Sequence, residues 1–381
     1  MGDSAEIDGT SDQRDPRDTY DALRARCSVV HEDGRWVVLG HAEVVAVAED
    51  AGTFSSGVSP RRAIPNSLDG VEHAAYRALI DRYLAEERVA REEDQCRSHA
   101  ADIVDALPRG VTVEAIASIG TPFAVRSQST WLGWPSGLED DLVAWIHDNH
   151  AATRSGDRER TAEVAERFDE MVRTLLQARR ATPTEDVTCE LMRDTVQGRP
   201  LADEEIVSIL RNWTAGDLGS LALSVGVLVH FLADNPEPQR HLRTLAAVGD
   251  RGALDAAIEE ILRIDDPFVS NRRVTTRPVT LGGHSLGQGE QVLLNWTAAN
   301  RDPLVFGDPD RYDPGENSAA NLVFGAGPHV CPGRLLTLME LRVVVEELLG
   351  RTTWVGPAPD HLGERETAPL GGWARVLVVL G

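Results

Sequence analysis

The chain has 381 residues, 42% hydrophobic and 26% charged, which is content for one large core or two ordinary domains. Its formal net charge is −23 and no lysine occurs among its 38 formal cations, so the surface repels nucleic acid and anionic membranes. No apolar run reads as the ~18 residues of a membrane span, and Met-Gly-Asp-Ser-Ala-Glu is too acidic and polar for a signal peptide, so a soluble cytoplasmic protein is expected.

Cys27, Cys96, Cys189 and Cys331 lie far apart with no C-x-x-C pair, which excludes an ordinary zinc cluster and a secreted disulfide framework. The first three are expected to be core or incidental thiols.

In chain order, residues 1–13 are expected to be disordered and residues 18–26 to form a short helix. Ser28-Val-Val-His and Arg35-Trp-Val-Val-Leu, separated by Glu-Asp-Gly, predict a β-hairpin. Residues 54–69 mix glycine, proline and serine with little periodicity and read as a loop. Residues 72–84 predict a helix on which His73 and Arg77 stand one turn apart on one face. Two cationic-capable groups together suit an anion, though such a pair is as readily plain surface.

From 91 to 180 the pattern is almost all helical, broken at Pro108-Arg-Gly, Trp134-Pro-Ser-Gly and Ser155-Gly-Asp, with Trp131, Trp134 and Trp145 read as core. A long helix begins near Asp203, after Ala202, and ends at Asn235-Pro. Gly216 and Gly219 inside it cost ~1 kcal/mol each relative to alanine, which argues for a packing or functional reason. Residues 255–263 predict a helix with Glu260 and Arg263 on one face, and residues 272–294 read as strands with glycine turns.

The chemistry concentrates in Phe324-Gly-Ala-Gly-Pro-His-Val-Cys-Pro-Gly333, a glycine-rich loop that presents Cys331 and runs into an apolar helix over 334–349. Pro332 fits the first helical position, and the amides of Gly333 and Arg334 would then point at the sulfur. The positive end of the helix favours a thiolate, which is a metal ligand or a nucleophile. Gly325 and Gly327 remove side chains where something flat and bulky could press on the backbone. A lone buried cysteine after a flexible loop is the plain alternative.

This loop, Phe-Gly-x-Gly-x-His-x-Cys-x-Gly with Glu340 further along the helix, resembles the haem-binding loop of the cytochromes P-450. Thr337 and Leu338 depart from the usual alanine and arginine before Glu340. The resemblance runs in order from about Asp18 to the C-terminus and implies a mainly α single domain over 1–381 with a small β region. In that fold a long central helix lies over the haem and the cysteine loop on its other face. It implies haem b (iron protoporphyrin IX) with Cys331 as axial thiolate, and Phe324, Gly325 and Gly333 shaping the loop. It further implies that His73, Arg77, Arg273 and His329 bind propionates, with Arg272 as a fallback. Glu260 and Arg263 would form a buried pair locked to a second basic residue, Arg311 being the best local candidate.

The implied activity is monooxygenation of a small organic substrate with dioxygen. Electrons would come from NAD(P)H through a separate ferredoxin or flavodoxin and its reductase, docking near Arg82, Arg88, Arg334 or Arg342. Those arginines could equally be paired with local carboxylates. Ala215, Gly216, Gly219 and Ser220 would face oxygen and substrate. There the chain departs from the family's Ala-Gly-x-acid-Thr, because Leu218 and Gly219 stand where the acid and the alcohol would. Asp217 is one residue early, ~100° round the helix. The departure leaves a peroxide-driven enzyme as an alternative, and a haem-binding accessory protein as the non-enzymatic one.

Overall fold

The structure is a computed structural model that describes residues 15–59, 61–359 and 363–381. Residues 1–13, expected to be disordered, lie outside the described residues. The fold is mainly helical with small sheets.

The elements begin with α1 (Pro16–Arg26), the hairpin β1 (Val29–Glu32) and β2 (Arg35–Val38), α2 (His41–Glu49) and β3 (Phe54–Ser55). The hairpin turn forms as predicted: Asp33 and Gly34 both take positive φ, at 49° and 75°, as the right-handed twist of the paired strands requires. Next come α3 (Gly70–Tyr83), α4 (Glu86–Ala106), β4 (Thr112–Glu114), a π-helical turn at Ile116–Gly120, α5 (Thr121–Leu132), α6 (Glu139–Ser155), α7 (Arg158–Ala181) and α8 (Val187–Met192). The three breaks expected between 91 and 180 all end helices. Strand β4 is the difference: three residues carry too little alternation to be seen, and their partner lies more than 260 positions away in the chain. The three tryptophans of this region are buried.

A short hairpin, β5 (Thr195–Val196) and β6 (Arg199–Pro200), leads into α9 (Asp203–Asp234), α10 (Pro236–Val248) and α11 (Arg251–Ile264). Strands β7 (Ser270–Thr275), β8 (Val279–Leu281), β9 (His284–Leu286) and β10 (Gln291–Asn295) follow, then the one-turn helices α12 (Trp296–Ala299), α13 (Pro303–Phe306) and α14 (Pro314–Asn317). The chain closes with α15 (Arg334–Arg351), β11 (Val355–Pro357), β12 (Glu364–Arg365), β13 (Trp373–Arg375) and β14 (Leu377–Leu380). The main sheet has the order β1-β2-β10-β7-β3, and a second sheet joins β11, β14 and β4.

Helix α9 runs for 32 residues, about 48 Å, through the core. The Glu205 side chain accepts the Ala202 amide at 2.8 Å and caps its start. It packs on α5, α7 and the π-helical turn. A Cβ at Gly226 would lie 2.6 Å from Ile116, so the close approach of turn and helix depends on glycine there. Contrary to the expectation of no such run, α9 is long and apolar enough to cross a membrane. Its acids are confined to the first turn and to Asp217 and Asp234, and most of its apolar stretch is buried in this core.

Glu260 and Arg263 form a fully buried pair on α11, with Arg263 0% exposed and Nε–Oε2 at 2.7 Å. The expected third member differs. Arg311 is 64% exposed and pairs with Asp313; only its carbonyl meets Arg263, at 3.2 Å. The remaining bonds to Glu260 come from Asn317 Nδ2 at 2.7 Å and the Asp313 amide at 2.9 Å. A neutral amide satisfies the carboxylate without importing a second buried cation, which Arg263 already supplies.

Candidate active site

Cys331 is held by its backbone before its sulfur is considered. Its amide donates to the Phe324 carbonyl at 2.8 Å, closing the loop on itself. Gly325 and Gly327 take φ of 74° and 69°, and a side chain at Gly327 would run into the Ala48 carbonyl at the end of α2. Arg77 clamps the far side, its Nη1 donating to the carbonyls of Pro328 at 3.1 Å and Val330 at 2.8 Å. The Phe324 ring lies beneath the Arg334 guanidinium, 5.7 Å from its centroid.

Helix α15 starts at Arg334 with Gly333 as its cap, so Pro332 lies just outside the first turn rather than in it. The amides of Gly333 and Arg334 act on the sulfur as expected, each lowering the thiol's pKa. They do not by themselves make a thiolate. Burial is the larger effect and pushes the thiol up to about 11, with the Asp217 charge adding to it. A thiolate at this position therefore gains from a cation on its open side, which a metal ion would supply.

Above the loop, α3 and β7 bring three basic groups together. The His73 and His329 rings lie 4.1 Å apart, and both His73 and Arg273 are buried. Burial and then the Arg77 charge hold His73 below the usual imidazole range. Burial, His73 and Arg273 bring His329 down to about 4, and burial also depresses Arg273. His329 has Ser56 Oγ at 3.1 Å and Asp69 at 3.5 Å, whereas His73 Nε2 and Arg273 Nε are buried with no partner among the described residues. Two imidazoles held neutral by burial beside the buried guanidinium of Arg273, with donors left under-bonded, are a site for an anion. Of the four expected propionate residues, Arg77 spends its Nη1 on the loop carbonyls, and Arg272, the fallback, is exposed.

On α9, the Ala215 side chain lies outside the described residues. Gly216 is exposed with open space beside it, and Ser220 Oγ donates back to the Gly216 carbonyl at 2.8 Å. A Cβ at Gly219 would lie 2.7 Å from Nε2 of His150 on α6, a residue that sequence reasoning did not single out. Nothing in the local sequence of α6 signals it; the notch and the ring meet only in the fold.

Asp217 turns to α5 and accepts a hydrogen bond from the Gln128 amide. Part of its own surface stays open, but it lies deep in the protein, and that depth raises its carboxyl to about 7. Above pH 4 the unfolded chain has released this proton and the folded one keeps it, so stability falls as pH rises toward 7, by up to about 1.4 kcal/mol per unit. Asp217→Asn is expected to be more stable than wild type at pH 8 and to lose that advantage at pH 4. Urea midpoints at the two pH values check this; equal midpoints at both count against it.

The four arginines considered for docking are all paired. Arg82 meets Asp194 at 2.6 Å, Arg88 meets Glu190 at 2.7 Å, and Arg334 hydrogen-bonds Glu259 at 2.7 Å. Arg342 is buried against Asp255 at 2.8 Å and cannot meet a partner. The local-pairing alternative holds for each of them.

This arrangement of an enclosed cysteine loop, a buried basic cluster and a long helix is matched by known proteins. The sequence profile described as Cytochrome P-450 fits residues 138–362. The erythromycin C-12 hydroxylase of Saccharopolyspora erythraea is 30% identical over 367 residues, covering 91% of this chain and 89% of that protein. The cyclomarin C epoxidase CymV of Salinispora arenicola is 27% identical, with 83% of each chain covered. Among solved structures, ligand-free cytochrome P-450 TbtJ1 superposes with a TM-score of 0.84 at 27% identity, covering 96% of this chain and 97% of that one.

The chain belongs to the cytochrome P-450 family. It is a haem-thiolate monooxygenase acting on small organic molecules. The cofactor of that family is haem, and the residues present fit it: a sulfur whose thiolate a metal cation would stabilise, and buried basic donors, His73 Nε2 and Arg273 Nε, with no partner among the described residues.

Proposed function

We propose that Cys331 is the axial thiolate of haem b in a single P-450 domain, and that His73, Arg273 and His329 hold its propionates. The observation that carries this is the pair of buried nitrogens, His73 Nε2 and Arg273 Nε, without partners among the described residues and beside the cysteine loop. Bound haem supplies activation of dioxygen, which thiolate ligation favours by electron donation. The Gly333 and Arg334 amides keep the sulfur from being an even stronger electron donor, and Arg77 holds the loop carbonyls so that Cys331 stays in place. Phe324 and Gly325 would shape the loop under the haem, Gly325 by its positive φ of 74°, with Trp296 3.8 Å from where its Cβ would stand. Ala215, Gly216, Gly219 and Ser220 belong to the opposite face, where Ser220 is spent on its own helix.

The substrate is a natural product of secondary metabolism, in keeping with relatives named for erythromycin and cyclomarin C. It is hydroxylated, epoxidised or dealkylated in the cytoplasm, with electrons from NAD(P)H through a separate ferredoxin or flavodoxin and its reductase. The test supplies holoprotein with NADPH, a ferredoxin, its reductase and isotopically labelled dioxygen, using erythromycin and cyclomarin C as probes. One labelled oxygen atom in a product is expected. Turnover supported by unlabelled peroxide, with no label taken from dioxygen, would replace this electron route by the peroxide one.

A further inference from the structure

Position 219 is where α9 lacks a side chain, and the space is not left empty. His150 reaches across from α6 and sets Nε2 2.7 Å from where a Cβ would stand. The nitrogen thus occupies the volume that a short side chain at 219 would fill, and it brings a polar atom to a stretch where Leu218 and Gly219 bring none. The alternatives on α9 itself are committed elsewhere: Ser220 Oγ bonds back to its own helix and Asp217 turns to Gln128.

The ring is well held. His150 is 8% exposed, and one helical turn further on Arg154 binds the buried Glu366 through Nε at 3.0 Å, pinning α6 to the C-terminal strands. The charged and titratable groups acting on the ring are Arg154, Glu366 and His147, and among the described residues no side chain hydrogen-bonds it. Burial lowers its proton affinity to about 4, so at neutral pH it is an uncharged imidazole with one donor and one acceptor nitrogen. Such a ring can take a proton at one nitrogen while giving one at the other.

We propose that His150 takes the place of the missing alcohol, its Nε2 in the notch of Gly219 being the hydrogen-bonding and proton-holding atom on the face of α9 that fronts the haem. The assignment rests on the haem-thiolate reading above.

The test uses reduced holoprotein with carbon monoxide as the probe, comparing wild type, His150→Ala, His150→Gln and Gly219→Ala. The Soret band is read first, then the C–O stretching band. All four proteins are expected to keep the thiolate Soret position. The C–O band is expected to shift in His150→Ala, to return most of the way in His150→Gln, which keeps an N–H donor, and to shift in Gly219→Ala, whose new methyl displaces the ring. A thiolate Soret band with the same C–O stretch in all four overturns the role of His150 alone. A wild-type Soret band away from the thiolate position overturns the haem-thiolate reading and the inference with it.

Discussion

Cys331→Ala is expected to lose the far-red Soret band of the reduced, carbon-monoxide-bound protein and to lower turnover by more than about 100-fold, since even supporting residues around a metal ligand are worth 10- to 100-fold. The loop itself is expected to survive. Its closure depends on the Cys331 amide bonded to Phe324 and on Arg77 bonded to Pro328 and Val330, none of which involves sulfur. Far-UV circular dichroism and the thermal midpoint of the apoprotein should therefore match wild type while the spectrum does not. A variant that keeps both the band and the turnover would show that another group ligates the metal.

Glu260→Ala is expected to prevent haem incorporation rather than to slow turnover. The substitution strands the fully buried Arg263 and removes the acceptor for Asn317 Nδ2 and the Asp313 amide. Breaking such a pair costs about 3–5 kcal/mol, a large part of the stability of a folded domain. The damage falls on the segment just before the cysteine loop, because Arg263 also holds the carbonyls of Asn300 at 2.8 Å and Pro309 at 3.1 Å. Glu260→Gln, which keeps the acceptor but not the charge, should incorporate haem partially. Full holoprotein from Glu260→Ala, measured as haem per polypeptide, would contradict the account.

Much of this was legible because strong local signals coincide with it. Long periodic helices, the Asp33-Gly34 turn and the cysteine loop are each written in consecutive residues. What was not legible depends on partners distant in the chain. Strand β4 exists only because β14 pairs with it, and Asn317 rather than Arg311 meets Glu260 because of how one short loop turns. The expectation of a thiolate at Cys331 weighed two amides and the helix end but could not weigh burial, which outweighs them. The pairing of the docking candidates was hidden for the same reason: with 61 acids against 38 bases, most arginines find a carboxylate, but which one is a matter of tertiary structure. His150 is the plainest case, since its meaning lies wholly in a notch on another helix.

The measurement that tests the central claim most directly is the absorbance spectrum of the reduced wild-type protein under carbon monoxide. The account predicts a Soret band at the far-red position from which the cytochromes P-450 take their name. A band typical of histidine or neutral-thiol ligation in freshly loaded protein, or no haem uptake at all, would contradict it.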